Sequence, residues 1–108
     1  MSKLRDKLNQ QVVCADGFSM SVQANDGAYC SPRISNAESY EEVEVGFPSE
    51  REPLLMDWCD DPQDPTGTVY GYVPIQVVTN VIAKHGGMVK GQVPPGIPEL
   101  RRVDTNDL

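Results

Sequence analysis

The sequence predicts an α+β fold: an antiparallel sheet of three to five strands, one main helix packed on one face, and a short N-terminal helix. Glycine and proline contribute nine residues each to a chain of 108, which is typical of short elements joined by turns. Several short runs alternate apolar and polar residues, as strands with one buried face do. One later stretch instead has apolar residues at helical spacing, so we expect a single main helix to cover the sheet.

Five short runs are assigned to strands. Residues 18–22 alternate apolar and polar positions, and Asn25–Gly27 then has the composition of a tight turn. Residues 28–31 could pair back after this turn, before Pro32 interrupts them. The strands that the sequence predicts are 18–22, 28–31, 40–47, 54–58 and 68–73.

The run over 40–47 is the clearest strand. Side chains alternate between the two faces of a strand, so Val43, Val45 and Phe47 should share one face. Glu42 and Glu44 should share the other. We therefore expect this strand to bury its apolar face and to present carboxylates outward.

The main helix is predicted over about residues 74–85. Pro74 suits the first turn of a helix, because its missing N–H would have no partner there. Gly86 and Gly87 suit the left-handed conformation in which many helices end. The apolar stripe that should pack on the sheet consists of Ile75, Val78 and Ile82, with Val77 and Val81 beside them.

The rest of the chain is divided between a second short helix and a tail. A helix over 3–10 with Ser2 as its N-cap is short enough that it must dock to persist. Residues 1–90 are predicted to form one α+β domain. Residues 91–108 form a proline- and glycine-rich extended tail, and we expect its charged end to be mobile.

Composition excludes several classes of protein. No apolar run approaches the 18–20 or so residues that a membrane span needs. Residues 1–11 lack the apolar core of a secretory signal, so we expect a cytoplasmic protein. The three cysteines, Cys14, Cys30 and Cys59, are odd in number and widely spaced, which favours reduced thiols over a disulfide framework.

Negative charge is concentrated in one part of the chain, residues 38–64, which we call the acidic segment. It contains ten acidic residues and Arg51 as its one base, a net charge of −9 in a chain whose total is −7. Nucleic-acid binding needs clustered lysine and arginine to neutralise phosphates, and no such cluster occurs. We therefore expect no direct nucleic-acid binding and a protein partner with a basic surface.

No combination of residues offers a nucleophile, a base and an oxyanion site together, so we predict a non-enzymatic protein without a cofactor. His85 is the only histidine, and its place at a helix end favours a capping or surface role. Cys59 lies among aspartates, whose negative charge disfavours the reactive thiolate. The cysteines and His85 lack the paired spacing of a zinc site. The run Asp57–Asp64 fails the EF-hand pattern and is expected to be a solvated loop with no metal.

Two groups of residues are candidate binding surfaces, each with a simpler alternative. The acidic side chains could form a plate that attracts a basic partner, or could only keep the protein soluble. Strand alternation puts Tyr70 and Tyr72 on one face, where they could anchor a partner or pack in the core. The candidate residues are Glu41, Glu42, Glu44, Asp57, Asp60, Asp61, Tyr70 and Tyr72.

Several motifs between residues 21 and 87 resemble those of small accessory proteins of tailed bacteriophages. They are structural motifs of strands, turns and a helix start, so the resemblance implies no catalytic residues. The small size and acidic charge are also similar to those of phage inhibitors of host defence, such as anti-CRISPR proteins. The segments that carry the resemblance are Ser21–Ala24, Ala28–Arg33, Val43–Ser49, Thr68–Pro74 and Lys84–Gly87.

The resemblance implies a binding protein that modulates or inhibits a host factor, such as a defence system, in the host cell cytoplasm. A virion or assembly component, which would form a symmetric oligomer such as a homodimer, is one alternative. A sponge for a small signalling nucleotide is the other. Its anionic ligand would need basic residues, and the candidates are Arg33, Lys84, Lys90 and Arg101.

Overall fold

A five-stranded sheet organises the fold in the computed structural model, which describes residues 8–101. The elements are β1 (Val12–Cys14), β2 (Ser19–Gln23), β3 (Glu42–Gly46), a 3₁₀ helix (Pro53–Trp58), β4 (Val69–Pro74), α1 (Ile75–Lys84) and β5 (Met88–Lys90). The strands lie in the order β4-β3-β2-β1-β5, and every neighbouring pair is antiparallel. The prediction of an α+β fold with an antiparallel sheet and one main helix is confirmed.

One face of the sheet carries the core. Val22 lies opposite Val45, and Val43 lies opposite Val73, and all four side chains are fully buried. Helix α1 contacts β4 and the 3₁₀ helix. Burying a valine or isoleucine side chain contributes about 1.5–3 kcal/mol, which outweighs the roughly 0.5 kcal/mol that a β-branched residue costs in a helix. The helix residues that join this core are Val78, Val81 and Ile82.

Both ends of α1 follow from local sequence. Pro74 is the last residue of β4 and the N-cap of α1. It was expected in the first turn of the helix, one residue later. At the other end Gly86 and Gly87 have φ of 93° and 90°, the left-handed region that glycine enters without steric cost. Their N–H groups donate to the carbonyls of Ala83 (3.1 Å) and Ile82 (2.9 Å), which completes a Schellman motif. The predicted end of the helix is confirmed.

The predicted strand over 54–58 is wrong, because this run forms a 3₁₀ helix. Pro53 occupies the first turn, and its fixed φ suits a helix start. The Glu52 side chain caps the helix by accepting a hydrogen bond from the Leu54 N–H at 2.9 Å. The proline and the carboxylate before it decide the local conformation, and the apolar run buries only Leu55.

The prediction that Tyr70 and Tyr72 share a face is also wrong. Val43 pairs with Val73 and Val45 pairs with Tyr70, so two residues of β4 oppose one residue of β3 and the strand contains a bulge. The extra residue reverses the alternation after Tyr70. Tyr70 therefore faces the core, fully buried, while Tyr72 is 43% exposed.

Two smaller predictions fail where strands end. Phe47 does not share the buried face of β3, because its φ of 49° turns the chain after Gly46 and leaves the ring 54% exposed. Residues 28–31 do not form a strand that pairs back on β2. Only Ser31 pairs, in an isolated bridge with Glu42.

The ends of the described chain lie against the sheet. Residues 3–7 of the predicted N-terminal helix lie outside the described residues, and residues 8–10 have no regular secondary structure. In the predicted tail, the Gln92 N–H donates to the Gln10 carbonyl at 3.1 Å. Gly91 has a φ of 110°, and a Cβ there would lie 2.3 Å from the Gln11 carbonyl oxygen. Only glycine lets the chain pass this close to β1.

Residues 94–101 continue along the domain. The Tyr40 N–H donates to the Pro95 carbonyl at 2.9 Å, and Ile97 is only 5% exposed. The Met88 N–H donates to the Leu100 carbonyl at 2.7 Å. Throughout residues 8–101, no helix has both the length and the apolar character required to cross a bilayer.

Candidate functional site

An open cleft of about 550 Å³ lies beside β4. Three aromatic rings and two carboxylates define it: Tyr29, Trp58 and Tyr72 with Asp57 and Asp60. We call this group the aromatic cleft. Cys59, Val69 and Gly71 complete its lining.

The 3₁₀ helix and the edge of β4 supply one wall of the aromatic cleft. Asp57 and Trp58 are the last residues of the 3₁₀ helix. The chain then pairs with β4, where Cys59 bridges Tyr70 and the Asp60 N–H donates to the Val69 carbonyl at 3.0 Å. Asp57, Trp58 and Asp60 are therefore held against a strand and do not sit on a free loop.

The loop after β2 supplies the other wall through Tyr29. Its carbonyl accepts the Tyr72 N–H at 2.9 Å, and its N–H donates to the Glu44 carboxylate at 2.9 Å. Gly71 lets this loop approach, since a Cβ there would lie 3.1 Å from the Tyr29 Cβ. The bulge in β4 and the carboxylate on β3 thus fix the backbone from which the Tyr29 ring extends.

The backbone of Tyr72 is strained. Its φ of 55° lies in the left-handed region, which costs a side-chain-bearing residue about 1–2 kcal/mol. The structure nevertheless keeps 43% of Tyr72 exposed to solvent. Strained backbone of this kind clusters at functional sites, so the exposed ring is a candidate for direct use.

The rings of the cleft already carry one cation. The Tyr29 and Tyr72 ring centroids are 6.0 Å apart at an angle of 36°, and the Arg33 guanidinium carbon lies 5.2 Å from the Tyr29 centroid. Among residues 8–101, no basic side chain forms a salt bridge with Asp57 or Asp60. Within this part of the chain, the two carboxylates of the cleft therefore have no ion-pair partner.

The structure brings three of the predicted site residues into the aromatic cleft: Asp57, Asp60 and Tyr72. Glu44 contributes indirectly by binding the Tyr29 N–H. Tyr70 contributes no surface, because its ring is buried and its hydroxyl donates to the Pro65 carbonyl at 2.5 Å. Burial, followed by the neighbouring Cys59 thiol, raises the pKa of Tyr70. The other predicted acids lie outside the cleft: Glu41, Glu42 and Asp61.

A second cluster, the His85 network, lies at the end of α1. The His85 Nδ1 is 2.6 Å from the Asp16 Oδ2, and the His85 Nε2 is 2.6 Å from the Glu52 Oε1. The other Glu52 oxygen accepts from the Lys84 Nζ at 2.8 Å and from the Leu54 N–H at 2.9 Å. His85 and Glu52 are 5% and 1% exposed, so the expected surface role of His85 is wrong although it does occupy the C-cap position.

The environment of His85 favours its protonated form. Burial alone would lower the pKa of His85, but hydrogen bonds to Glu52 and Asp16 and their charges outweigh it and raise the pKa above its usual 6.5. Burial would likewise raise the pKa of Glu52, but Lys84, the Leu54 N–H and His85 together lower it below its usual 4.5. Each ring nitrogen is engaged by a carboxylate oxygen, so neither is free to act as a base on a bound substrate. The network instead ties the β1–β2 turn, the 3₁₀ helix and α1 together.

The cysteines offer no activated thiol in the buried part of the fold. All three are free. Burial, with a smaller effect of Asp16, raises the pKa of Cys14 to about 11, and burial also raises the pKa of Cys30. A thiol with a raised pKa is protonated at neutral pH and is a poor nucleophile. Across residues 8–101, no three His, Cys, Asp or Glu side chains are grouped so that they could hold a metal ion.

The four cations of the nucleotide-binding alternative lie at three separate places. β4 and β5 form opposite edges of the sheet, so the cation beside the aromatic cleft is far from those near β5. One chain therefore does not gather the four cations around one anion. They are Arg33 over Tyr29, Lys84 on Glu52, and Lys90 with Arg101 beside β5.

Comparison with known proteins gives no relative: no family model, no curated protein and no solved structure matches the chain. The assignment of a site therefore depends on the geometry alone.

Sequence reasoning missed Tyr29 and the His85 network. No local signal marks Tyr29, since it reaches the cleft through a loop whose approach depends on the β4 bulge. Glu52 has a weak signal, because an acid before Pro53 is suited to cap a helix start. His85 and Asp16 are 69 residues apart, and nothing in either neighbourhood predicts that they meet.

Proposed function

We propose that the protein is a non-enzymatic binding protein of the phage accessory type, which modulates or inhibits a host factor by binding a basic surface of that factor. The observation that carries the proposal is the aromatic cleft, where exposed rings and carboxylates with no salt-bridge partner in the described chain line one cavity. Tyrosine and tryptophan anchor many protein interfaces, and complementary charge steers the partners together.

The chemistry of the buried groups supports binding over catalysis. The one histidine has both nitrogens engaged by carboxylates, and two of the three thiols have raised pKa values. In contrast, the aromatic cleft is open, and its two aspartates are exposed. The resemblance to phage accessory proteins and to host-defence inhibitors suggests a bacterial host protein as the partner.

The structure sharpens the choice of the acidic residues to be tested. Glu44 binds the Tyr29 N–H, so replacing it would disturb the loop as well as the charge. Asp57 and Asp60 are exposed, line the cleft, and have side chains outside the hydrogen-bonded network of the described chain. Glu38 and Glu50 are exposed acids outside the cleft, and they provide a control with the same change of charge.

The experiment is an affinity capture from a nuclease-treated lysate of phage-infected bacteria with three proteins: wild type, the double variant D57K/D60K, and the control E38K/E50K. We expect one host protein to be captured by wild type and by the control and to be lost with D57K/D60K. Equal capture by all three proteins would remove the cleft from consideration. Enrichment of phage structural proteins would instead support the virion or assembly alternative.

A further inference from the structure

We propose that the aromatic cleft binds the side chain of an arginine exposed on the partner protein. This inference rests on the proposed function and names the chemical group that the cleft takes. It follows from the geometry of the rings, from the charge of the cleft and from the cation that the chain itself places on Tyr29.

The rings of the cleft suit a flat cation. Tyr29 and Tyr72 are 47% and 43% exposed, and their rings are tilted with respect to each other. Trp58 adds a half-buried indole to the same cavity. A guanidinium is planar and weakly hydrated, so it stacks on aromatic faces more readily than a compact ammonium group does.

The negative charge of the cleft favours a cation. Asp57 and Asp60 lie in the same lining as the rings, and neither forms a salt bridge within residues 8–101. A guanidinium has five N–H donors in a fixed plane, so it can stack on a ring and donate to both carboxylates at once. An ammonium group has three donors around a single charged atom. It is therefore less able than a guanidinium to stack on a ring and bind the carboxylates at the same time.

The chain itself shows that the Tyr29 ring accepts a guanidinium. Arg33, an exposed residue, lies over this ring with 5.2 Å between its guanidinium carbon and the ring centroid. Arg33 is not part of the lining of the cleft, so the rest of the cavity stays open. The strained backbone of Tyr72 holds a second ring toward solvent. Strain of this kind is typical of functional sites, so it supports a binding role for this cavity.

The test is an NMR titration of the ¹⁵N-labelled protein with three blocked tripeptides of the form Gly-X-Gly, in which X is arginine, lysine or citrulline. Citrulline has the shape of arginine without its charge. Trp58 is the only tryptophan, so its indole N–H is a single reporter within the cleft. We expect saturable shifts at Trp58 and Tyr72 with the arginine peptide, about threefold weaker binding of the lysine peptide, and no saturation with citrulline.

Two variants with the same change of charge complete the test. D57N/D60N removes the carboxylates of the cleft and should weaken binding of the arginine peptide by about fivefold or more. D61N/D64N changes the same acidic stretch outside the cleft and should bind as wild type does. Well-dispersed spectra of both variants show that they fold.

Equal binding of lysine and arginine, no saturable shift, or equal loss in both double variants would overturn the inference. The proposed function can fail separately. If D57K/D60K loses the host protein in the capture experiment but the arginine peptide does not bind, the cleft is a binding site and the arginine inference is wrong. If the peptide binds but capture of the host protein is unaffected by D57K/D60K, the arginine pocket stands and the cleft is not the surface that carries the proposed function.

Discussion

Replacing His85 with phenylalanine should lower the free energy of unfolding by about 2–3 kcal/mol. It should also remove the dependence of this free energy on pH near neutrality. The new ring keeps the stacking on Phe18, which lies 4.1 Å away centroid to centroid. It leaves the buried Glu52 without one of its donors. Removing one partner of a buried ion pair costs about 3–5 kcal/mol, but Glu52 keeps Lys84 and the Leu54 N–H, so a value at or just below that range is expected.

The pH dependence of the wild type is set by the two buried members of the network. The pKa of His85 is raised in the folded state above its unfolded value of 6.5. The contribution of His85 to the free energy of unfolding is therefore complete below pH 6.5 and is lost as the pH rises through the folded-state pKa. The pKa of Glu52 is lowered, so its contribution is complete above 4.5 and is lost as the pH falls through the folded-state pKa. The free energy of unfolding should therefore be highest between these two values, and fall above 6.5 by up to about 1.4 kcal/mol per pH unit.

The assay is urea unfolding at 25 °C, followed by the fluorescence of Trp58, from pH 5 to pH 8.5. The range ends below pH 9.0, the usual pKa of a cysteine thiol. The raised pKa values of Cys14 and Cys30 reduce the free energy of unfolding only above that pH, so the two thiols do not affect the comparison. The difference between wild type and H85F should be largest near pH 6 and should narrow as the pH rises. A wild-type stability that is constant from pH 6 to pH 8.5, or a loss under about 1 kcal/mol in H85F at pH 6, would refute the reasoning.

Three further predictions concern the cleft, the acidic stretch and the tail. Tyr72→Gly relieves the left-handed backbone, so the free energy of unfolding should stay within about 1 kcal/mol of wild type or rise, while binding of the arginine peptide is lost. Tyr70→Phe removes the hydrogen bond to the Pro65 carbonyl, and should cost about 1 kcal/mol and speed amide exchange over residues 60–67. Gly91→Ala places a methyl group 2.3 Å from the Gln11 carbonyl oxygen, and should cost more than the roughly 1 kcal/mol typical of a point mutation, as urea unfolding would measure.

Each of these predictions has an outcome that contradicts it. A Tyr72→Gly protein that binds the peptide as wild type does would show that the ring is not part of the site. Unchanged exchange rates in Tyr70→Phe would mean that the tyrosine hydroxyl does not hold residues 60–67. A Gly91→Ala protein of full stability would mean that the tail does not pass β1 as closely as described.

Local patterns were sufficient for elements whose residues decide their own conformation. Helix α1 has an apolar stripe and a glycine pair at its end, and both are visible in the sequence. Strand β3 shows its alternation through Val43 and Val45. These elements need no information from distant residues, so the prediction of the fold class succeeded.

The missed strand β1 has only three residues, too few for an alternation to stand out. A signal for it did exist: Asp16-Gly17 is a common hairpin turn, and Gly17 has a φ of 96° between β1 and β2. The run 54–58 was misassigned because its apolar content was weighed above Pro53, which favours a helix start.

The candidate site depends on features that a local pattern cannot show. One extra residue in β4 reverses the faces of Tyr70 and Tyr72, and a bulge of this kind is set by pairing with β3. The sequence indicated Asp57, Asp60 and Tyr72 as site residues, but only the folded chain brings them to one cavity with Tyr29. Buried Glu52 was counted with the surface acids, because its partner His85 is 33 residues away.

The aromatic cleft is proposed to bind a basic surface of a protein partner. The most direct test measures the affinity of the captured partner for wild type, D57K/D60K and E38K/E50K by biolayer interferometry at physiological salt. We expect D57K/D60K to bind more weakly than wild type by about tenfold or more, and E38K/E50K to stay within about threefold of wild type. Equal weakening by both double variants would show that only the overall negative charge matters, and would contradict a site at the cleft.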